Sequence, residues 1–383
     1  MPKTIYLDNH ATTPVDPRVL KAMLPYFKER FGNAASRSHS FGSEALRAVE
    51  KARAQIATII HAEPNEIIFT SGATESNNLA LKGAAEGNRH RGNHILTVAT
   101  EHRSVLDSCK RLELSGFRVT YLPVKSDGLI DLRQLKEAVT PKTILISVLL
   151  ANNEIGVIQP LAEIGRFARA KGILLHSDAA QALGKVPIDV KKMNVDLLSI
   201  TAHKIHGPKG IGALYLRKTG TQVKLLPMLD GGGHEGGYRS GTLNVPAIVG
   251  FGEACRLYSN TLTHESKRLE GLRDRLLDKL RGEVPGLSVN GSLRRRLPNN
   301  LNVSIPGVTS KEIIESLKKV ALSAGSACLS SSQEPSYVLK ALGVSEPLRR
   351  SSVRFGLGRF NTASEIDQTV CDIIKVLRRK KWR

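Results

Sequence analysis

Between residues 47 and 217 the chain alternates short β-branched or leucine-rich runs with intervals of helix length, and this alternation limits the fold more than any other feature. The runs cover 66–70, 94–99, 118–123, 143–150, 173–178, 196–201 and 212–216. Most are continuously apolar, as strands covered on both faces must be. Helical periodicity fills 43–60 ahead of the first run and 161–171 between the fourth and fifth. The pattern predicts an α/β fold around a largely parallel sheet, with ligands beyond the carboxyl ends of its strands. A glycine-rich stretch over 230–241 interrupts it, and helices follow over 247–259 and 264–280. The remaining third reads as a smaller α+β unit. Its last helix opens with Thr362 and Glu365 at capping-box spacing, before Ile366, Val370, Ile373 and Leu377.

Composition narrows the function classes. An apolar share of 41% and a charged share of 24% exclude a disordered tail and a fibrous repeat. No apolar run reaches the ~18 residues needed to span a bilayer, and the start MPKTIYLDNHATTP does not read as a signal peptide. Cys109, Cys255, Cys328 and Cys371 lie far apart with no CxxC pair, so neither a disulfide framework nor a zinc site is expected. A reducing, cytoplasmic location is the expectation. The net charge of +21 favours acidic partners, anionic substrates or incidental nucleic-acid adhesion, with a solvated basic surface as the plainer reading. With aromatics at 4% and one Trp, base stacking is poorly supplied, and nucleic-acid binding is not expected to be primary.

Three segments carry chemistry. In SGATESNN, Ser71, Gly72, Ala73 and Thr74 lie where a strand gives way to a helix N-terminus, whose amides and dipole suit a phosphate. In HSDAAQALGK, Asp178 ends an apolar strand, with Gln181 three residues on. A buried carboxylate there needs a partner, and a protonated heterocyclic nitrogen is one. In SITAHKIHGPKGIGAL, Lys204 follows another strand, where a desolvated amine can form a Schiff base. Singly, each has a plainer explanation: an N-cap by Ser71 or Thr74, an N-cap by Asp178, a solvated lysine. Together they are the set that pyridoxal 5'-phosphate requires, namely an anion site, a counter-charge and an imine-forming amine.

These segments, with TEHRSVLD, resemble fold-type-I pyridoxal-phosphate enzymes of the class V aminotransferase group. More narrowly, they resemble the cysteine desulfurases of the bacterial iron–sulfur assembly and nitrogen-fixation type. The resemblance runs from YLDNHATTP to SSVRFGLGRFNT, and its most specific segment is SAGSACLSSSQEPSYVLKALG, which holds Cys328 among small polar residues. It implies a large cofactor domain over 15–258 with a mainly parallel seven-stranded sheet. A small α+β domain would join 1–14 to 259–383 and carry the cysteine loop. It implies that Lys204 binds the cofactor and moves protons, that Asp178 faces the pyridinium, and that Gln181 faces the phenolic oxygen. His102 would stack on the ring as an acid or base. Thr74, Thr201 and His203 would hold the phosphate, with backbone from Ala73. Thr242 would reach the phosphate of a second subunit in a homodimer. Asn153 lies near cofactor and substrate, and Arg354 would clamp the substrate carboxylate with its forked donors.

The implied reaction converts L-cysteine to L-alanine and leaves a persulfide on Cys328. An iron–sulfur scaffold protein would receive the sulfur, tRNA thiolation being a further outlet. No metal site is expected, apart from transient cluster ligation at Cys328. Cys109, Cys255 and Cys371 read as packing residues. Two positions depart from the usual pattern: Gly236 stands where arginine is common, and Thr201 where serine is more usual. The alternatives are a selenocysteine lyase or another β-eliminating enzyme of the same fold, and a non-catalytic basic binding module. Retention of Lys204, Asp178, His102 and Cys328 together opposes the last.

Overall fold

The computed structural model describes residues 4–220, 223–325 and 336–379; Cys328 lies outside the described residues. Seven strands form the central sheet: β2 (Ile67–Thr70), β3 (His94–Val98), β4 (Arg118–Leu122), β5 (Thr143–Ser147), β6 (Leu174–Asp178), β7 (Leu197–Thr201) and β8 (Gly212–Leu216). Their order is β2-β8-β7-β6-β5-β3-β4. Only β8 runs against the rest, pairing antiparallel with both β2 and β7. The carboxyl ends of the other six therefore open on one edge, as the sequence pattern predicts. β3, β5, β6, β7 and β8 are buried along their whole length, which is why their sequences show no regular polar–apolar alternation.

Helices cover both faces of this sheet. Helix Ser40–Ile59 buries Ala45, Val49, Ala52 and Ile56 against helix Val245–Ser259. Small residues let these two approach closely: a Cβ on Gly252 would lie 2.6 Å from the Ala52 Cα.

A second layer is built from both ends of the chain. β1 (Ile5–Tyr6) pairs with β11 (Val320–Ala321), and β9 (Ser288–Val289), β10 (Asn300–Ser304) and β12 (Ser352–Gly356) form an antiparallel sheet ordered β12-β10-β9. Ile5 and Leu7 share one apolar cluster with Leu276, Leu301, Val353, Phe355 and Ile373. Helix Ala363–Arg379 docks on it through Ile366, Ile373 and Leu377. Its capping box is made in both directions, Thr362 Oγ1 accepting from the Glu365 amide and Glu365 Oε2 from the Thr362 amide. An isolated bridge joins Asp8 to Gly356, so the N-terminal arm runs from this layer across the open edge of the large sheet.

Candidate active site

A cavity of about 530 Å³ opens at that edge. It gathers Ala73 and Thr74 after β2, His102 after β3, Asn153 after β5, Asp178 at the end of β6, and Thr201, His203 and Lys204 at the end of β7. Gln181 lines it, Arg354 of β12 reaches it from the second layer, and His10, Ala11 and Thr12 close it from the N-terminal arm. Thr242 is exposed and does not line it.

The anion cradle depends on three neighbouring strands. Gly212 sits in register between Thr70 and Thr201, and a Cβ there would lie 2.7 Å from the Gly72 Cα and 2.6 Å from the Ile200 carbonyl. Its missing side chain admits Gly72, which adopts φ +155 immediately before the helix starting at Ala73. Neither Ser71 nor Thr74 caps that helix; the N-cap is Gly72, without a side-chain bond. The Gly72 amide donates to Thr70 Oγ1 at 3.4 Å, and among the described residues no side chain caps the amides that follow it. Thr201, His203, Lys209 and Gly210 line the same corner. Burial, with Lys204 and Lys209 adding, pushes the His203 imidazole down to about 4, so its ring is neutral at physiological pH.

Asp178 does not cap a helix either. Its Oδ1 accepts from the Ala180 amide at 2.9 Å and its Oδ2 from Asn77 Nδ2 at 2.7 Å. Both donors are neutral, so the buried charge has no cation bonded to it there. Lys204 donates to the carbonyls of His10 and of Ala11, the latter at 2.7 Å. Behind it, Lys185 donates to the Lys204 carbonyl at 2.7 Å, and burial pulls the Lys185 ammonium down to about 7. His102 caps the helix Arg103–Leu114 with its ring, Nδ1 accepting from the Ser104 amide at 3.2 Å. In the neutral ring the proton is then on Nε2.

Arg354 is 1% exposed. Nη2 donates to Asp8 Oδ1 at 2.8 Å and Nη1 to the Asn153 carbonyl at 2.9 Å. Among the described residues its Nε and Asn153 Oδ1 are buried without a partner, and both residues line the cavity. Two unsatisfied polar atoms in one wall are costly unless a polar ligand completes them. Beneath the site Glu101 accepts from the Leu149 amide at 2.6 Å, and burial beside Asp178 holds its carboxyl far above the usual range.

These features fit pyridoxal phosphate: a helix-start amide cradle with hydroxyls, a buried carboxylate bonded only to neutral donors among the described residues, and an amine lining the same cavity. The glycine-rich loop bearing Thr242 is tied down from the same side. Glu235 accepts from the Phe69 amide at 2.7 Å and pairs with Arg53 at 2.8 Å, while Arg239 pairs with Glu75 at 2.8 Å. Gly236 adopts φ +64, a conformation that glycine takes more readily than arginine, so the departure at this position suits the turn.

His10, Asn77, Glu101 and Lys185 carry no pattern that singles them out, although Glu101 adjoins His102 and Lys185 closes the HSDAAQALGK segment. One cysteine corrects the sequence reading. Cys109 and Cys255 are buried and burial raises both thiols, Cys109 to about 12, but Cys371 is exposed on its helix.

Residues 5–369 match the family model described as aminotransferase class-V. The chain is 55% identical over 377 residues to a "Cysteine desulfurase IscS" of Rickettsia bellii, covering 98% of this chain and 92% of that one. It is 56% identical over 366 residues to the protein of the same name from Anaeromyxobacter dehalogenans, covering 96% and 90%. Among solved structures, one titled "NIFS-LIKE PROTEIN" superposes with a TM-score of 0.91 at 38% identity, covering 98% of this chain and 99% of the other. The cavity's composition and these likenesses agree: the chain belongs to the class V aminotransferase family and, within it, to the pyridoxal-phosphate-dependent cysteine desulfurases.

Proposed function

We propose that the chain carries out the desulfurase reaction of its family in this cavity, with L-cysteine as substrate and Cys328 as the first sulfur acceptor. The observation that carries the reading is the convergence of Lys204, Asp178 and the uncapped helix start at Gly72 on one cavity. When bound, pyridoxal phosphate supplies a conjugated ring that draws electrons from the substrate's α-carbon.

The chain's own residues do the rest. Thr74, Thr201 and His203 would hold the phosphate, with the Ala73 backbone beside them, and the Asp178 carboxylate would face the protonated ring nitrogen. Lys204 would supply the amine that holds the cofactor and would move protons through Nζ. His102 Nδ1 is engaged by Ser104, so a proton exchanged in the cavity passes through Nε2. Arg354 receives the substrate carboxylate, and Asn153 Oδ1 takes a donor from cofactor or substrate. The Cys328 thiolate bonds to the substrate sulfur as the substrate's Cβ–S bond breaks. That carbon takes a proton, L-alanine leaves, and Cys328 keeps the persulfide.

The same reading assigns 15–258 to the cofactor domain, and 1–14 with 259–383 to the domain carrying Cys328. It makes the enzyme a cytoplasmic homodimer in which Thr242 serves the second subunit's phosphate. An iron–sulfur scaffold protein then takes the sulfur. Cys328→Ala tests the acceptor. The variant is expected to bind pyridoxal phosphate normally but to release little alanine, and mass spectrometry of the wild type after one turnover should find one extra sulfur atom on Cys328. Alanine release at the wild-type rate by the variant would overturn the assignment.

A further inference from the structure

The N-terminal arm contributes a histidine to the cavity for which the roles above leave no task. His10 is 2% exposed, and a Cβ on Gly356 of β12 would lie 2.8 Å from its Cδ2, so the ring is wedged in place. Both ring nitrogens are bonded. Nδ1 lies 2.9 Å from Gln181 Oε1 and Nε2 lies 3.0 Å from Asn300 Nδ2.

The direction of every bond in this chain is fixed from both ends. At the far end Arg296 Nη1 donates to Asn300 Oδ1 at 2.9 Å, and a guanidinium has only donors. Asn300 Nδ2 also donates to the Glu154 carbonyl at 3.1 Å. The amide group of Asn300 therefore faces His10 with its NH2, and Nε2 must accept. At the near end Gln181 Nε2 donates to the His10 carbonyl at 3.0 Å, which turns Gln181 Oε1 toward Nδ1. Nδ1 must then donate. The two ends independently require the same tautomer, with its proton on Nδ1.

We infer that His10 is a positioning residue for the cofactor: the Arg296–Asn300–His10 chain locks the Gln181 side chain so that its NH2, not its oxygen, serves the phenolic oxygen of pyridoxal phosphate. One NH2 hydrogen goes to the His10 carbonyl, and the other is available to the cavity that Gln181 lines. The His10 carbonyl also accepts from Lys204 Nζ, so one residue gathers the amine and the amide. In pyridoxal phosphate the phenolic oxygen and the aldehyde sit on adjacent ring carbons, which matches that gathering. His10 remains neutral in this setting. Burial and the Arg354 charge hold its imidazole well below its ordinary value, and Lys204 and Lys185 act in the same direction.

The inference rests on the cofactor reading above, and its tests separate the two. An NH2 donor stabilises a phenolate, whereas a reversed amide would set oxygen against oxygen. Loss of the donor should raise the midpoint at which the bound cofactor's visible absorption titrates with pH, by about one unit for a charge-assisted hydrogen bond. The experiment compares wild type, His10→Leu, His10→Asn and Gln181→Leu, each loaded with pyridoxal phosphate, by absorbance titration and by equilibrium dialysis of the cofactor. His10→Leu and Gln181→Leu should shift alike, and the double variant no further. His10→Asn, whose amide N–H falls near Nδ1, should stay close to wild type. Asn300→Ser, which removes the donor to Nε2, should shift in the same sense and decides the matter if His10→Leu does not fold. In the cofactor-free protein, ¹⁵N resonances of His10 should report the Nδ1–H tautomer. Wild-type titration by both His10→Leu and Asn300→Ser, or an Nε2–H tautomer, would overturn the inference. A wild-type protein that takes up no pyridoxal phosphate would instead overturn the function proposed above.

Discussion

Arg354→Lys isolates what the forked guanidinium contributes to substrate binding. The wild-type side chain spends Nη2 on Asp8 and Nη1 on the Asn153 carbonyl, and its Nε, buried in a residue that lines the cavity, has no partner among the described residues. Lysine retains the positive charge beside the half-buried Asp8, so that carboxylate is not stranded, but it offers a point charge in place of a fork. Truncation to alanine would confuse the result, because it leaves the half-buried Asp8 without its cation and so lowers stability as well. The lysine variant should lose about one charge-assisted hydrogen bond to the substrate carboxylate, ~1.5–3 kcal/mol. That corresponds to a rise of about 10- to 150-fold in KM for L-cysteine. The assay is alanine release against cysteine concentration at saturating pyridoxal phosphate, with cofactor affinity measured alongside. KM should rise while kcat and cofactor affinity change little. An unchanged KM with a fall in kcat alone would refute the assignment of Arg354 to the substrate carboxylate.

Asp178→Asn should fold, because Asn77 Oδ1 has no partner among the described residues and can turn to accept from the new amide. It should retain cofactor yet lose about 100-fold or more in kcat, the usual scale for removing a preorganised charge from a reacting group; near-wild-type turnover would contradict its role. Gly212→Ala drives a Cβ against the Gly72 Cα and the Ile200 carbonyl. It should cost ~1–3 kcal/mol and weaken pyridoxal phosphate binding, and an unchanged melting temperature with unchanged affinity would count against the cradle. His176, His94 and His203 are each held at about 4 by burial, below the ordinary 6.5. Between those values the unfolded chain takes up protons that the folded chain refuses, so stability is complete above pH ~6.5 and falls as pH drops toward 4. Urea midpoints that stay level from pH 7 to pH 4.5 would contradict this.

The sheet was readable because its strands are short and buried on both faces. The run over 173–178 became β6 (Leu174–Asp178), and that over 196–201 became β7 (Leu197–Thr201). Asp178 and Lys204 could be found because each follows such a run directly, and strand ends are where an α/β sheet opens to ligands. The second layer was harder to read. Its two-residue strands β1, β9 and β11 are too short to leave a period, and β1 is paired with a segment more than three hundred positions away. His10 was invisible for the same reason. Its meaning comes from Asn300, 290 positions distant, and from Arg296 behind it. Cys371 was misread because helical periodicity identifies a helix more securely than it assigns a residue near the edge of the apolar stripe.

Alanine release from L-cysteine by the pyridoxal-phosphate-loaded protein, with a thiol reductant present, tests the central claim most directly. The account predicts continuous formation of alanine with an equal amount of sulfide, since the reductant discharges the persulfide on each cycle. A yellow, cofactor-loaded and folded protein that forms no alanine from L-cysteine under these conditions would contradict it.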